Sequence, residues 1–464
     1  MPNSLANAVG FSRISIKSPP TLKNEEMRVK LSLKINEYFT INRITMGFLI
    51  ALLSAGSLYL DWMGVVNYLI NTILGLLSFY LLLKSCKKTW FWFGFFMASL
   101  WFWWISMSFA NYGFAWAIPI GIIISSFVFG LLFLLLASLS ESISRKFFPT
   151  QEYLPLLLKA LALLLLSYIH PFGFDWYKPE LLFTNSYIGI EKWQFALVLV
   201  AILLTLYQKQ LLFMLLVIGA YPYASHFQKV EPLTSNIQLG NFHINVIDKW
   251  KPELQQKHIS MVFNAIDRAI AEKKSLIILP ESIFALFLNQ QPVLLKALLQ
   301  RSHEISIVLG SLYVDGETPR NSTYIFKDGN YTIANKIVLV PFGEANPLPK
   351  FMSKWINNLF FDGAPDYVAA KNPTDYEIDG KIYRNAICYE ACSEPLYQGE
   401  PKQMIVISNN GWVSPSIEPT LQKILLQYYS KKYGTTIYHA ANMSPSYIVH
   451  LGKVIYPKSI NNEH

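Results

Sequence analysis

Charge is scarce in this 464-residue chain: Asp, Glu, Lys and Arg make up 15% of it, against about a quarter in an ordinary soluble protein. The mean hydropathy is accordingly positive, at +0.29. Nearly all of the deficit falls between Ile44 and Ser225, while the later half carries normal charge and normal loops. That unevenness excludes one uniform soluble domain and divides the chain into two regions that obey different rules. Cysteine is also scarce, present only as Cys86, Cys388 and Cys392, and no Cys/His cluster has zinc spacing. A disulfide framework and a structural metal are excluded on that count, and no cofactor or metal is expected. Acidic residues are outnumbered, giving a net charge of +9. The excess lies in the N-terminal tail and in short loops between apolar runs, a placement that fits membrane topology and argues against nucleic acid as a partner.

What is present falls into three stretches. Residues 1–43 are polar and basic, with Pro19 and Pro20 in the middle, and lack the apolar core and small-residue cleavage site of a signal peptide. They read as a cytoplasmic tail, in which Met27 opens a more compact basic lead-in and is an alternative start. Residues 44–227 hold seven apolar runs: Ile44 to Leu60, Met63 to Leu83, Phe91 to Ala110, Trp116 to Leu139, Tyr153 to Ile169, Trp193 to Tyr207 and Leu211 to Ser225. Crossing about 30 Å of hydrocarbon takes roughly 20 residues, so the first five are adequate and the last two short. Lys and Arg gather in the tail and then in alternate loops, at Lys84, Lys87 and Lys88, at Arg145 and Lys146, and at Lys209. With positive loops inside, seven crossings place everything after Ser225 outside the cytoplasm. Lys159, near one end of its run, is expected to snorkel.

Residues 228–464 read as an α/β domain. From His258 to Lys274 the spacing puts Ile259, Val262, Phe263, Ile266 and Ile270 on one helical face. Short β runs then end at chemically capable residues: Ser275 to Leu279 before Glu281, Ile382 to Ile387 before Cys388, and Met404 to Ser408 before Asn409 and Asn410. In sheets of this kind reactive groups collect just beyond strand ends. Taken singly these residues say little. A free cysteine is more often a small buried hydrophobe, Glu281 could be a carboxylate at a helix N-terminus, and Lys336 could be a solvated lysine at a strand edge. Together they form a nucleophile, a base and a cation. A reactive thiol needs a depressed pKa, a base and an oxyanion donor, and the order Glu281, Lys336, Cys388 at intervals of about fifty residues supplies candidates for all three.

The strings around these residues resemble the apolipoprotein N-acyltransferase family, a membrane-embedded branch of the nitrilase superfamily. The matching motifs are Leu-Pro-Glu-Ser at 279–282, Lys336 with Leu-Val-Pro-Phe-Gly-Glu at 339–344, and Ile-Cys-Tyr-Glu at 387–390. Weaker matches are Gly240-Asn241, Lys249-Trp250, Asn321-Ser322 and Ser-Asn-Asn-Gly-Trp at 408–412, while the aromatic run Trp90 to Trp104 resembles the family's third membrane helix. The chain departs from the pattern at Asn410, where the family has Asp, at Ala345, where it has an aromatic, and in ending at His464 without a final apolar helix.

The resemblance implies a multi-pass α-helical membrane domain followed by a nitrilase-like αββα sandwich on the outer face of the cell inner membrane, in the periplasm. It implies that Glu281 deprotonates Cys388, which takes an acyl chain from a phospholipid, typically the sn-1 chain of phosphatidylethanolamine, while Lys336 steadies the oxyanion. The α-amine of an apolipoprotein's diacylglyceryl-cysteine then accepts the chain from the thioester. It further implies site roles for Glu344, Tyr389 and Glu390, and lid or supporting roles for Trp250, Asn321, Asn409 and Trp412. Cys392 is expected to be structural. Two rivals are a membrane-tethered hydrolase, in which water resolves the thioester, and a non-catalytic relative that kept the fold.

Overall fold

The computed structural model describes residues 40–170, 174–223, 236–316, 318–341, 343–344 and 367–457. The basic tail, the boundary between 227 and 228, and Ala345 lie outside the described residues. Each of the seven apolar runs contains a helical segment. The α-helices are α1 (Ile41–Trp62), α2 (Tyr68–Lys84), α3 (Lys87–Trp101), α4 (Ile118–Phe147), α5 (Leu154–Leu166) and α6 (Lys192–Gln208), and the last run is a 3-10 segment, Leu211–Ala220. Among the described residues two helices are long and apolar enough to cross a membrane, Ile41–Trp62 and Ala115–Phe147. A third forms if α3 is joined to the 3-10 segment Trp103–Tyr112, across a 49° bend. Small residues let these helices approach closely: a Cβ on Gly94 of α3 would lie 2.6 Å from the Phe129 carbonyl oxygen of α4.

The ends of this bundle differ. At one end Glu141 of α4 gathers Lys87 at 3.6 Å, Arg145 at 3.4 Å and Lys159 of α5 at 3.2 Å. Lys159 is buried and also donates to the Ser85 carbonyl. It therefore does not snorkel to water as expected, because an acidic partner lies within the bundle. The other end meets the α/β half of the chain.

That half contains α7 (Val246–Lys249), α8 (Pro252–Ala271), α9 (Pro292–Arg301) and α10 (Glu418–Tyr433). Its first strands are β1 (Ile237–Leu239), β2 (Asn241–Phe242), β3 (Leu276–Ile278), β4 (Phe284–Phe287), β5 (Ser306–Asp315), β6 (Thr318–Lys327) and β7 (Asn330–Asn335). After them come β8 (Asp375–Ile378), β9 (Lys381–Ile387), β10 (Gln403–Asn409), β11 (Thr436–Asn442), β12 (Tyr447–His450) and β13 (Lys453–Ile455). One sheet runs β1-β3-β5-β6-β7 with β4 beside β5, and the other runs β13-β12-β11-β10-β9-β8 with β2 beside β11. The strands β1, β3 and β5 are parallel, as are β9, β10 and β11.

Alternation along the strands explains the layering. Leu276 and Ile278 of β3 meet Ile405 and Ile407 of β10 in the core between the sheets, while Ile277 turns outward with Val262, Ile266 and Leu298 of α8 and α9. Met404 and Val406 face the opposite way, toward Leu421 and Leu425 of α10, in a core continuous with the membrane helices. Helices, sheet, sheet and helix thus stack as an αββα sandwich, with α10 against the bundle. The helix predicted from His258 begins earlier, at Pro252, because Pro is well placed in a helix's first turn.

Polar contacts fasten the seam. Lys423 of α10 pairs with Asp61 at 2.6 Å, and the amides of Gln427 and Asn185 bond each other at 3.1 and 3.2 Å. Tyr429 and Tyr428 donate to Asp175 and Glu180 at 3.3 and 3.1 Å.

Candidate active site

Glu281 lies just beyond β3, and its backbone packs against β5 at Gly310. A Cβ there would lie 2.6 Å from the Glu281 Cα, so only glycine admits this approach. The carboxylate is held on two sides. Oε1 accepts from Asn321 Nδ2 at 2.7 Å, and Oε2 accepts from the Asn409 backbone N–H at 3.0 Å. Its buried place in a loop between strands is not that of a helix N-terminus.

Lys336 follows β7 directly and is 2% exposed, not a solvated edge lysine. Its Nζ lies 2.8 Å from Glu344 Oε2, 3.0 Å from Glu344 Oε1 and 3.9 Å from Glu281 Oε1. Asn321 Nδ2 also donates to Glu344 Oε1 at 2.8 Å, so one amide ties both carboxylates together. Glu390 acts as a clamp: Oε2 accepts from the Ile337 and Val338 N–H groups at 2.7 and 3.0 Å, and Oε1 from Ile387 N–H at 2.8 Å. It joins the backbone after Lys336 to the backbone before Cys388.

Cys388 opens a 3-10 turn, Cys388–Cys392, at the end of β9. It has φ +54°, as Ser282 next to Glu281 has φ +49°, so both strand ends carry left-handed backbone on side-chain-bearing residues. Such a sharp reversal presents a side chain beyond the sheet.

The electrostatics divide the roles. Burial pushes the Glu281 carboxyl up, opposed by the Lys336 ammonium and by the Asn321 bond. Burial would depress Lys336, but Glu344, Glu281 and the other negative groups around it outweigh that and hold the ammonium charged. Glu390 is raised by burial to about 7. The Cys388 thiol is raised well above its ordinary value, by burial first and then by Glu281, against Lys336 and the Asn409 N–H, which lower it. This corrects the expectation of a depressed thiol. Burial and the Glu281 carboxylate thus both favour the protonated sulfur at rest.

The remaining residues sort by contact. Glu344, Asn321 and Glu390 join the cluster. Asn409 joins it through its backbone, while its side-chain Oδ1 accepts from Asn442 at 2.9 Å. Tyr389 points away: its ring stacks on Trp176 at 5.7 Å, and its hydroxyl accepts from Asp175 N–H at 3.3 Å. It packs against the membrane half because the turn after Cys388 carries it to the other side of the chain. Trp250 is 50% exposed and makes none of the contacts that build the cluster. Trp412 stacks on Tyr112 at 6.1 Å, and its carbonyl accepts from Asn111 Nδ2 at 2.7 Å. Cys392 is buried.

Three residues were missed from sequence as site residues. Lys249 donates to the Glu281 carbonyl at 3.4 Å and is lowered by burial to about 8. Gln422 and Glu418 of α10 approach from behind β10, and Glu418 is raised by burial to about 8. Lys249 falls in the Lys249-Trp250 match but was given no role there, and no motif marks Gln422 or Glu418, which lie one turn apart on α10.

Comparison with known proteins bears on this geometry. The family model for the apolipoprotein N-acyltransferase integral membrane domain matches residues 41–224. The apolipoprotein N-acyltransferase of Wolinella succinogenes is 39% identical over 402 residues, covering 86% of this chain and 94% of that one. The chain belongs to the apolipoprotein N-acyltransferase family. The family's members in Campylobacter jejuni and Helicobacter pylori are 34% and 33% identical, over 92% and 89% of this chain and 94% and 97% of theirs. Among solved structures, a CN-hydrolase superfamily protein from Xanthomonas campestris aligns with 47% of this chain and 83% of its own at 13% identity, with a TM-score of 0.35.

Proposed function

We propose that this chain transfers an acyl chain from a phospholipid, through a thioester on Cys388, to the α-amine of the diacylglyceryl-cysteine of an apolipoprotein. The observation that carries the reading is the convergence of Glu281, Lys336 and Cys388 from strand ends of two facing sheets, within a family whose named members are N-acyltransferases. Glu281 takes the thiol proton and the sulfur attacks the ester carbonyl. Lys336 stabilises the oxyanion, in a dry setting where such a charge is worth several kcal/mol. The C–O bond breaks, and the lyso-lipid alcohol leaves with the proton from Glu281. The acceptor amine then loses a proton to Glu281 and attacks the thioester, and the C–S bond breaks to return the thiol.

The lipid donor is supported by the rim of the site. Beside Asn111, which holds Trp412, the segment 103–117 exposes Ile105, Phe109, Tyr112 and Trp116, an apolar lip between the bundle and the catalytic cluster. The sidedness is supported by the bundle's two ends. The basic residues Lys87, Arg145 and Lys159 lie together at one, and the catalytic half docks on the other through Asp61, Asn111 and Asn185. With the basic end inside, the domain of residues 228–464 lies in the periplasm, on the inner membrane.

The test is to incubate the purified protein with phospholipid and no acceptor. One acyl chain should appear on Cys388 and be released by neutral hydroxylamine. Cys388→Ala should abolish it and Cys392→Ala should keep it. A diacylglyceryl lipopeptide added next should gain the mass of the chain. Label on Cys388→Ala protein would sink the mechanism, and transfer to water alone would favour a hydrolase.

A further inference from the structure

Behind the nucleophile, on the α10 side of its sheet, runs a buried chain of neutral polar groups. Gln422 is fully buried. Its Nε2 lies 4.0 Å from Cys388 Sγ and 3.4 Å from Ser408 Oγ. Its Oε1 accepts from Asn410 Nδ2 at 3.3 Å, and its backbone carbonyl accepts from the Cys392 thiol at 4.0 Å. Asn410 Nδ2 also bonds Ser444 Oγ at 3.0 Å, and Ser408 Oγ bonds His439 Nε2 at 2.9 Å. With Oε1 engaged by Asn410, the two hydrogens of Nε2 are left for two acceptors, Ser408 and the sulfur. A neutral amide in place of a base fits the surroundings. Burial lowers His439 to about 3, so it stays neutral, and Glu418, one turn before Gln422, stays protonated at neutral pH.

We propose that Gln422 is a positioning residue for the reaction: its side-chain amide holds the Cys388 sulfur in place and stabilises the thiolate formed when the proton leaves for Glu281. At 4.0 Å the contact is long for the resting thiol, a weak acceptor. Once the sulfur carries full charge, the bond becomes charge-assisted and shortens. The donor thus acts more strongly after proton transfer than before, which is the differential that accelerates a step. It approaches from the α10 side, so the two charged groups keep separate tasks, Lys336 on the oxyanion and Glu281 on the proton. The titratable groups that face the sulfur are Glu281, Lys336, Glu418 and Cys392, with His439 behind Ser408.

The inference rests on Cys388 being the nucleophile, and its test separates the two. Full-length protein in detergent is alkylated with iodoacetamide across a pH series, and label on the peptide carrying Cys388 is read by mass spectrometry. Gln422→Leu, which keeps the volume and removes the donor, should shift the profile upward by about one pH unit, a tenfold loss of thiolate. Acyl-enzyme formation should fall with it. Ser408→Ala, which frees the amide on one side, should shift it in the same direction by less. Leu421→Ala, fully buried on the same helix, should lower the unfolding temperature without moving the profile. A folded Gln422→Leu protein with the wild-type profile and acylation rate overturns the proposal. Should that variant not fold, Ser408→Ala decides alone, and an unmoved profile there overturns it too. If phospholipid never acylates Cys388 in the wild type, the nucleophile reading falls first and this one with it.

Discussion

Asn409, the last residue of β10, donates its backbone N–H to Glu281 Oε2 in the facing sheet at 3.0 Å, across 128 residues of sequence. The same N–H lowers the Cys388 thiol, so one backbone group acts on both the proposed base and the proposed nucleophile. The Asn409 side chain is engaged elsewhere, with Asn442. Asn409→Ala should therefore cost about 1 kcal/mol of stability and leave acylation within a few-fold of wild type. Glu281→Gln should lower acyl-enzyme formation by about 10²–10⁴-fold, because it removes the proton acceptor and turns an amide toward existing donors. Single-turnover acylation with a fluorescent phospholipid compares them, and equal losses in the two would refute the assignment of the base.

Lys336 holds Glu344 and Glu281 in a buried cluster. Lys336→Met should leave the buried Glu281 and the partly buried Glu344 without their cation, costing about 3–5 kcal/mol of stability. Acyl-enzyme formation should fall at least about 10²-fold. Thermal unfolding in detergent and hydroxylamine-sensitive label give the two numbers. A variant that melts normally would show that the lysine is not what neutralises this site.

Glu418 is buried, its Oε2 has no hydrogen-bond partner among the described residues, and burial, with Glu281, raises it from the ordinary 4.5 to about 8. A carboxyl raised on folding favours the folded state while protonated. That advantage is complete below the unfolded value near 4.5 and is lost as pH climbs through the folded value near 8. Glu418→Gln keeps the neutral form at every pH. Its unfolding free energy should match wild type near pH 5, exceed it increasingly toward pH 8 and hold a constant lead above, on the order of a few kcal/mol, as read by denaturation across a pH series. A gap that widened toward acid would reverse the sign and remove the argument.

The bundle's two ends set a topology test. Reporter fusions after Lys88, Arg145 and Lys209 should read cytoplasmic, and a fusion after Asn111 external, since Asn111 bonds Trp412 of the catalytic half. A cytoplasmic signal at Asn111 would place the catalytic half inside and remove the lipoprotein substrate.

Much of this was legible from sequence because it depends on neighbours along the chain. Apolar runs marked the helices, and short β runs marked β3, β9 and β10. The residues just past those strands were the ones the structure gathers. The run from Leu211 was short by sequence and is a 3-10 segment, too short to cross alone. Lys159 was misread because its acid, Glu141, sits 18 residues away on another helix.

By itself, the sequence determined the two-part architecture, the residue types of the proposed triad and the strand ends that carry them, since burial periodicity and motif spacing are local properties of the chain. Only the tertiary structure decided which polar groups meet. Asn321 bonds both Glu281 and Glu344, Glu390 clamps the backbones beside Lys336 and Cys388, and Gln422 reaches the sulfur from another layer. Tyr389, next to Cys388 in sequence, stacks on Trp176 instead, and Trp250, next to Lys249, is half exposed. The thiol's raised pKa belongs to the same class. A side chain's partners and dielectric surroundings are set by which sheet faces which, and no spacing along a single strand carries that information.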